Sequence, residues 1–309
     1  MEAILGDMHI VGDSIKGDSD EIASSREELI KVFYKATGRT DIQIGELVWM
    51  GVWRPNIRMV NEFGKGRVFV AGDACHVHSP TGGQGMNSGI QDSFNLAWKL
   101  TLVHKGLAPR SVLDSYSQER LRVIASTLNM TTELFKKELS GKSKERTHLT
   151  RGYELRMFSI NYRDSPLVID EKYPERDLEV VDAYRSGDDG TVQGGDRAPD
   201  APCLTHLGQN TSTSLFDIFK PNHHTALVFS GSGSGASVTQ VLETLREYSS
   251  DSSSSFRAPS EVVEVVTVVD TERYAHKNYV IEPQDGPTVV IVRPDGYIGA
   301  LVTSGSKGI

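Results

Sequence analysis

Between Gly72 and Asn87 the chain reads Gly-Asp-Ala-Cys-His-Val-His-Ser-Pro-Thr-Gly-Gly-Gln-Gly-Met-Asn, and no other stretch limits the fold so tightly. An apolar run, residues 67–72, precedes it. Such a run predicts a short strand buried on both faces of a layered α/β domain. Asp73 then stands at the carboxyl end of the strand, where open α/β sheets bind ligands, and its carboxylate can accept hydrogen bonds from the hydroxyls of a polyol. Gly82, Gly83 and Gly85 carry no β-carbon, so the backbone there can adopt positive φ and lie against a flat ligand with its amides turned outward. A helix starting near Met86 adds the positive end of its dipole, which favours negative charge on a ring system placed at its N-terminus.

These residues resemble the Gly-Asp motif, loop and helix of FAD-dependent aromatic hydroxylases, the p-hydroxybenzoate hydroxylase class, and within it the phenol 2-monooxygenases of fungal type. The likeness extends over residues 53–59, 91–100, 116–120 and 161–163 and so covers most of the chain, with residues 72–100 as its specific part. The resemblance implies a cofactor-binding set of Gly72, Asp73, Ala74, Pro80, Gly82, Gly83, Gln84, Gly85, Met86 and Asn87. In that set Asp73 holds the FAD ribityl chain, residues 82–87 meet the pyrimidine side of the isoalloxazine, and Pro80 borders the ring near the substrate. It further implies NADPH as reductant, dioxygen and a small phenolic compound as substrates, an ortho-hydroxylated product, a homodimer and a cytoplasmic setting. No catalytic residue is assigned.

The expected fold is α/β, α+β in part: the C-terminal portion of an FAD-binding Rossmann-like and substrate domain over residues 1–163, a linker over 164–194, and a thioredoxin-like domain over 195–309. The family opens with a strand followed by G-x-G-x-x-G, whose helix N-terminus receives the FAD pyrophosphate. Here Leu5-Gly6-Asp7 and Val11-Gly12-Asp13 are isolated Gly-Asp pairs without that spacing. Most of the substrate-domain sheet is missing with it, so the chain reads as a C-terminal portion. Two further functional readings therefore stand beside the monooxygenase: a non-catalytic fragment acting as a dimerisation or interaction module, and a redox-inactive thioredoxin-like binding protein.

Composition narrows the partners. With 309 residues of which 38% are hydrophobic, the chain can bury about two cores. A net charge of −8 argues against nucleic acid or an anionic membrane as the main partner. No apolar run approaches the roughly 20 residues that span a bilayer, and no basic segment with an apolar signal core opens the chain. Cys75 and Cys203 are the two cysteines, far apart, which indicates neither a disulfide framework nor a thiolate zinc site.

Ser25-Arg26-Glu27-Glu28 is a capping-box signal for a helix ending at Gly38, and residues 47–53 read as a strand. Met86, Ile90, Phe94, Ala97 and Thr101 share one helical face, predicted to pack behind the cofactor, with Gly106 and Pro109 as stops. A cap signal at residues 111–114 opens a second long helix carrying Leu113, Tyr116, Ile124, Leu128, Thr131, Phe135 and Leu139 as core. Beyond the linker, residues 225–229 and 262–269 are strands around a helix at 238–248, and residues 289–292 and 297–302 form a hairpin about Pro294-Asp295-Gly296.

That order resembles a thioredoxin-like domain, and Gly286-Pro287 stands where such a fold keeps a cis proline. Where a redox thioredoxin has C-x-x-C the chain has Ser230-Gly231-Ser232-Gly233-Ser234-Gly235, which excludes dithiol chemistry and reads as a flexible turn. His76 and His78 would share a face of an extended segment, but no third ligand stands at metal spacing in the sequence, so they read as packing or hydrogen-bonding residues. His223-His224 and Asp18-Ser19-Asp20 read as surface loop.

Overall fold

The computed structural model describes residues 25–47, 49–50, 56–78, 82–139, 154–174, 182–184, 190–202, 204–205, 212–230, 235–250, 263–268, 273–282 and 285–303. The chain divides into two compact units, residues 1–55 and 56–309. In the first, helix α1 (Arg26–Thr37) starts where Ser25 accepts the Glu28 amide and ends where Gly38 turns left-handed at φ 67°. None of the described residues in the expected strand at 47–53 is extended into one; Val48 and residues 51–53 lie outside the described set, and Trp49 is exposed.

The second unit opens with short pairings: β1 (Arg58–Met59) runs antiparallel to β4 (His76–Val77), and β2 (Gly64–Lys65) to β3 (Val68–Phe69). This corrects the expected strand at 67–72. It is one arm of a hairpin, with Val68 68% exposed, so it is not buried on both faces. Two long helices follow, α2 (Gly85–His104) and α3 (Asp114–Leu139), separated by the predicted stop at Gly106 and Pro109 and a 3-10 turn at Arg110–Leu113. Phe63, Cys75, Leu96, Tyr116, Ile124 and Leu128 pack together between them, and the Tyr116 hydroxyl donates to the Val70 carbonyl at 2.8 Å.

The later part of this unit is a five-stranded sheet in the order β5 (Ile169–Asp170), β11 (Ile298–Thr303), β10 (Thr288–Val292), β8 (His224–Phe229), β9 (Val263–Thr267). β8 and β9 are parallel, whereas β10 is antiparallel to both of its neighbours. Before β8 come the small pair β6 (Leu204–Thr205) and β7 (Ser212–Thr213) and a single-turn helix α4 (Leu215–Ile218); α5 (Gly235–Ser250) follows β8, and α6 (Tyr274–Asn278) precedes β10. Strands buried along their length, Ala226 to Phe229 and Val289 to Val290 among them, explain the near-continuous apolar runs seen there in the sequence.

One expectation for this region needs correction. Within the segment expected as a linker, Ile169 and Asp170 form the edge strand β5, parallel to β11, and Asp170 accepts the Gly194 amide at 2.6 Å. No peptide bond among the described residues is cis, so Gly286-Pro287 is trans. Residues 231–234 of the glycine-serine turn, together with Asp18-Ser19-Asp20 and Cys203, lie outside the described set.

A buried ionic cluster ties the helices to the sheet. Glu119 on α3 is fully buried and accepts from Lys99, Asn95 and Ser165 and, through both oxygens, from Arg293, at 2.5–3.0 Å. Asp295, in the β10–β11 turn, accepts from Arg293 at 2.6 Å and from the Trp98 indole at 3.1 Å. Two carboxylates thus meet two cations directly. Burial would raise the Glu119 carboxyl, but Arg293 and Lys99 outweigh it and hold the group well below the usual carboxylate range; burial pushes the Lys99 ammonium down to about 8. Replacing Glu119 by glutamine (E119Q) leaves Lys99 and Arg293 buried without the carboxylate between them. It is expected to cost about 3–5 kcal/mol of stability, measured as a lower urea midpoint at unchanged slope.

Candidate functional site

The turn that carries Asp73 is a single 3-10 turn, Gly72–Ala74, entered through extended Ala71. Gly72 sits at φ 59°, a conformation that glycine adopts without strain. A second reason for glycine is contact with α2: a β-carbon on Gly89 would stand 3.1 Å from the Gly72 Cα, so the turn lies directly on the helix backbone. That approach brings the Gly72 amide within 3.1 Å of the Asp92 carboxylate. Asp73 and Ala74 point outward and are exposed.

Asp92 is fully buried and anchors the turn. Its Oδ2 takes the Gly72 amide and stands 2.6 Å from His76 Nε2, while Oδ1 accepts from Arg120 Nε at 2.7 Å. Arg120, also fully buried on α3, donates on to the Tyr162 hydroxyl at 3.0 Å and to Gln91. His76 Nδ1 lies 2.8 Å from His78 Nε2. Burial would raise the Asp92 carboxyl, but the His76 hydrogen bond and the Arg120 charge hold it below its ordinary value.

Asp92 and Arg120 were not singled out from the sequence as site residues. A signal for them existed: Ser88, Asp92, Asn95 and Lys99 recur at helical spacing and form the buried stripe of α2. The apolar stripe of α2 is the exposed one, with Met86 76%, Ile90 59% and Phe94 42% accessible. Together with Ala71 and Ala97 these side chains line an open groove of about 600 Å³ beside Gly72.

Two of the three glycines of the loop are left-handed, and Gly85 is already the first residue of α2. Gly82 and Gly83 have φ of 82° and 62°, and Gln84 is the N-cap residue of α2. Gln84 is fully buried, and its side-chain amide donates to the Gly82 carbonyl at 2.7 Å and to the Leu155 carbonyl at 3.0 Å; it fixes the loop from inside and does not cap the helix. No side chain caps this end, so the amides of Gly85, Met86 and Asn87 have no intrahelical acceptor and concentrate the positive dipole end there. Asn87 donates back to the Gly83 carbonyl at 3.1 Å, and Met86 stands at the mouth of the groove. Pro80 lies outside the described residues.

Cys75, His76 and Asp92 place their ligand atoms within 4.8 Å of one another, a grouping the sequence spacing did not suggest. Its chemistry favours hydrogen bonding over a cation. Both Asp92 oxygens are engaged, the Arg120 guanidinium opposes added positive charge, and burial pushes the Cys75 thiol up to about 12, so it stays protonated and donates to the Gly72 carbonyl at 3.2 Å. His223 bonds Glu264 at 2.8 Å, and His224 packs edge-on against Trp98. Asp164 pairs with Arg122.

An exposed carboxylate, a left-handed glycine loop and an uncapped helix end together match what a polyol-bearing, electron-accepting ring needs at one side. Residues 9–131 match a family model described as the FAD binding domain. Over 286 residues the chain is 32% identical to a flavin-dependent monooxygenase of Mycobacteroides abscessus, covering 93% of this chain and 48% of that protein. Over 221 residues it is 34% identical to pentachlorophenol 4-monooxygenase of Sphingobium chlorophenolicum, covering 66% of this chain and 36% of the relative. Among solved structures, the flavin-dependent monooxygenase PieE in complex with FAD and substrate superposes with a TM-score of 0.68 at 20% identity, over 95% of this chain and 53% of that one, a likeness of fold. The chain thus spans about half the length, or less, of the relatives it matches.

Stability should follow the Asp92 and Glu119 carboxyls. Both are depressed in the folded protein, so their contribution is complete above the unfolded carboxylate range near about 4 and is lost as pH falls below it. The urea midpoint is expected to fall steeply below about pH 4. In D92N, with one carboxyl fewer to protonate, the fall is shallower, and the variant starts about 3–5 kcal/mol less stable at neutral pH because Arg120 loses its buried partner.

Proposed function

Starting from residues 9–131 as an FAD-binding-domain segment whose relatives are flavin-dependent monooxygenases, we propose that this chain supplies one side of the flavin site of an aromatic hydroxylase. Asp73 receives the ribityl hydroxyls, and the Gly82–Asn87 loop with the first amides of α2 faces the pyrimidine edge. Pro80 borders the ring. The observation that carries this reading is the exposed Asp73 carboxylate, held beside α2 by a buried network. Bound FAD would supply the oxygen-transfer chemistry, with NADPH as reductant and a phenolic ring and dioxygen as substrates.

The chain's own contributions are positional. Asp92 holds the turn through the Gly72 amide, Gln84 holds the glycine loop from beneath, and the α2 dipole favours the negative charge of a reduced ring. Residues 1–163 form the monooxygenase part, and residues 195–309 a thioredoxin-like domain joined to it through 164–194. The β9-β8-β10-β11 order, parallel in its first pair and antiparallel in the next two, supports that domain assignment.

The second reading, an interaction or homodimerisation module without flavin, is favoured by one observation, the exposed apolar stripe Met86-Ile90-Phe94. The visible absorption spectrum after addition of excess FAD and desalting separates the two. The monooxygenase reading expects a retained flavin band, and D73A is expected to weaken FAD about tenfold to a hundredfold, the loss of hydrogen bonds to a charged group. A colourless protein that runs as a stable dimer by light scattering contradicts it and favours the module.

A further inference from the structure

The chain Arg120–Asp92–His76–His78 fixes the direction of each of its hydrogen bonds. Arg120 only donates, and the ionised Asp92 only accepts, so His76 Nε2 carries the proton it gives to Asp92 at 2.6 Å. With Nε2 turned to Asp92, His76 faces His78 through Nδ1, and a His78 Nε2–H directed at that nitrogen makes the 2.8 Å contact between the two rings. The rings meet edge to face, at 87° and 4.8 Å, which suits one N–H directed at one lone pair. Burial and the neighbouring His76 pull His78 down to about 4, so it is neutral near pH 7. Its remaining nitrogen, Nδ1, is therefore an acceptor.

That nitrogen is buried and has no hydrogen-bond partner among the described residues. A buried acceptor without a donor is costly, and the residues around it do not relieve it. His78 directly follows β4, the strand that leads away from the Asp73 turn, and the Asp73 carboxylate is close enough to act on its ring. Asp73 and His78 Nδ1 are two acceptors with no donor among the described residues. A ligand with several hydroxyl donors along one chain complements them, and a single phenolic hydroxyl complements one.

We propose that His78 Nδ1 is a ligand-binding acceptor of the site, receiving a hydroxyl of the bound molecule beside Asp73, with the orientation of its ring set by His76 and Asp92. His76 is a positioning residue in this arrangement. The proposal rests on the flavin reading for its preferred source, the ribityl chain of FAD; a phenol is the alternative source of the same hydroxyl.

Nitrogen NMR of the full chain with 15N-labelled histidine tests this near neutral pH. Without ligand, His78 Nδ1 is expected to give the resonance of an unprotonated nitrogen and Nε2 that of a protonated one. Added FAD should move Nδ1 in the direction of a newly accepted hydrogen bond, with phenol alone leaving it in place; a response to phenol and not to FAD assigns the hydroxyl to the substrate. A protonated Nδ1 in the free chain, or an Nδ1 that neither ligand moves, overturns the proposal. The flavin band of the same sample tells the two failures apart: a retained band with a silent Nδ1 sinks the His78 contact alone, and a lost band sinks the flavin reading with it. By fluorescence titration H78F should weaken FAD about tenfold, and H78Q, whose side-chain oxygen is again an acceptor, should recover part of that loss. Equal losses in both variants count against an acceptor role.

Discussion

The carboxylate of Asp92 is the interaction on which the site depends. One buried anion takes a backbone amide from the Gly72 turn, a ring nitrogen from β4 and a guanidinium from α3, and so joins three elements. Its charge is balanced locally by Arg120, which lets it remain ionised while buried. The Gly72–Gly89 contact is the steric counterpart, because a β-carbon on Gly89 would press on the Gly72 Cα at 3.1 Å and the left-handed φ of Gly72 disfavours a side chain there. Asp73 is exposed and positioned because Asp92 is buried and fully engaged.

Glu119 and Arg120 are neighbours on α3, and each heads a separate buried cluster. Arg120 faces the Gly72 turn through Asp92, and Glu119 faces the β10–β11 turn through Arg293. A small movement of this part of α3 would therefore be felt at both the candidate flavin turn and the C-terminal sheet. Arg293 also lies over the Trp98 and Tyr162 rings, at 5.1 and 5.3 Å, which adds packing to the charge contact. The arrangement makes α3 a rigid strut between the two parts of residues 56–309.

The features legible in the sequence were those set by local chemistry. The Ser25 cap, the glycine loop, the start of α2, its stop near Gly106, and the β10–β11 hairpin about Pro294-Asp295-Gly296 all depend on residues close in the chain. What escaped depends on long-range partners. α2 carries an apolar and a polar stripe of the same period, and hydrophobicity alone assigns the apolar one to the core. The polar one is buried because Glu119 and Arg120, 20 or more positions on, neutralise it. Val68 failed as a buried strand residue because its pairing partner is the hairpin arm at Lys65, with no second layer over it among the described residues. The β5 edge strand is likewise an outcome of tertiary context that local composition does not encode.

If the turn is preformed by Asp92, it should be rigid before any ligand arrives. Amide hydrogen exchange of the ligand-free chain measures this directly, at Gly72 and across residues 72–78. The Asp92 account predicts that the Gly72 amide is protected nearly as well as the core amides of α3, since it opens only when the buried network opens. Exchange at Gly72 close to the rate of an unstructured peptide, with α3 still protected, would contradict it and leave the turn to be organised by the ligand.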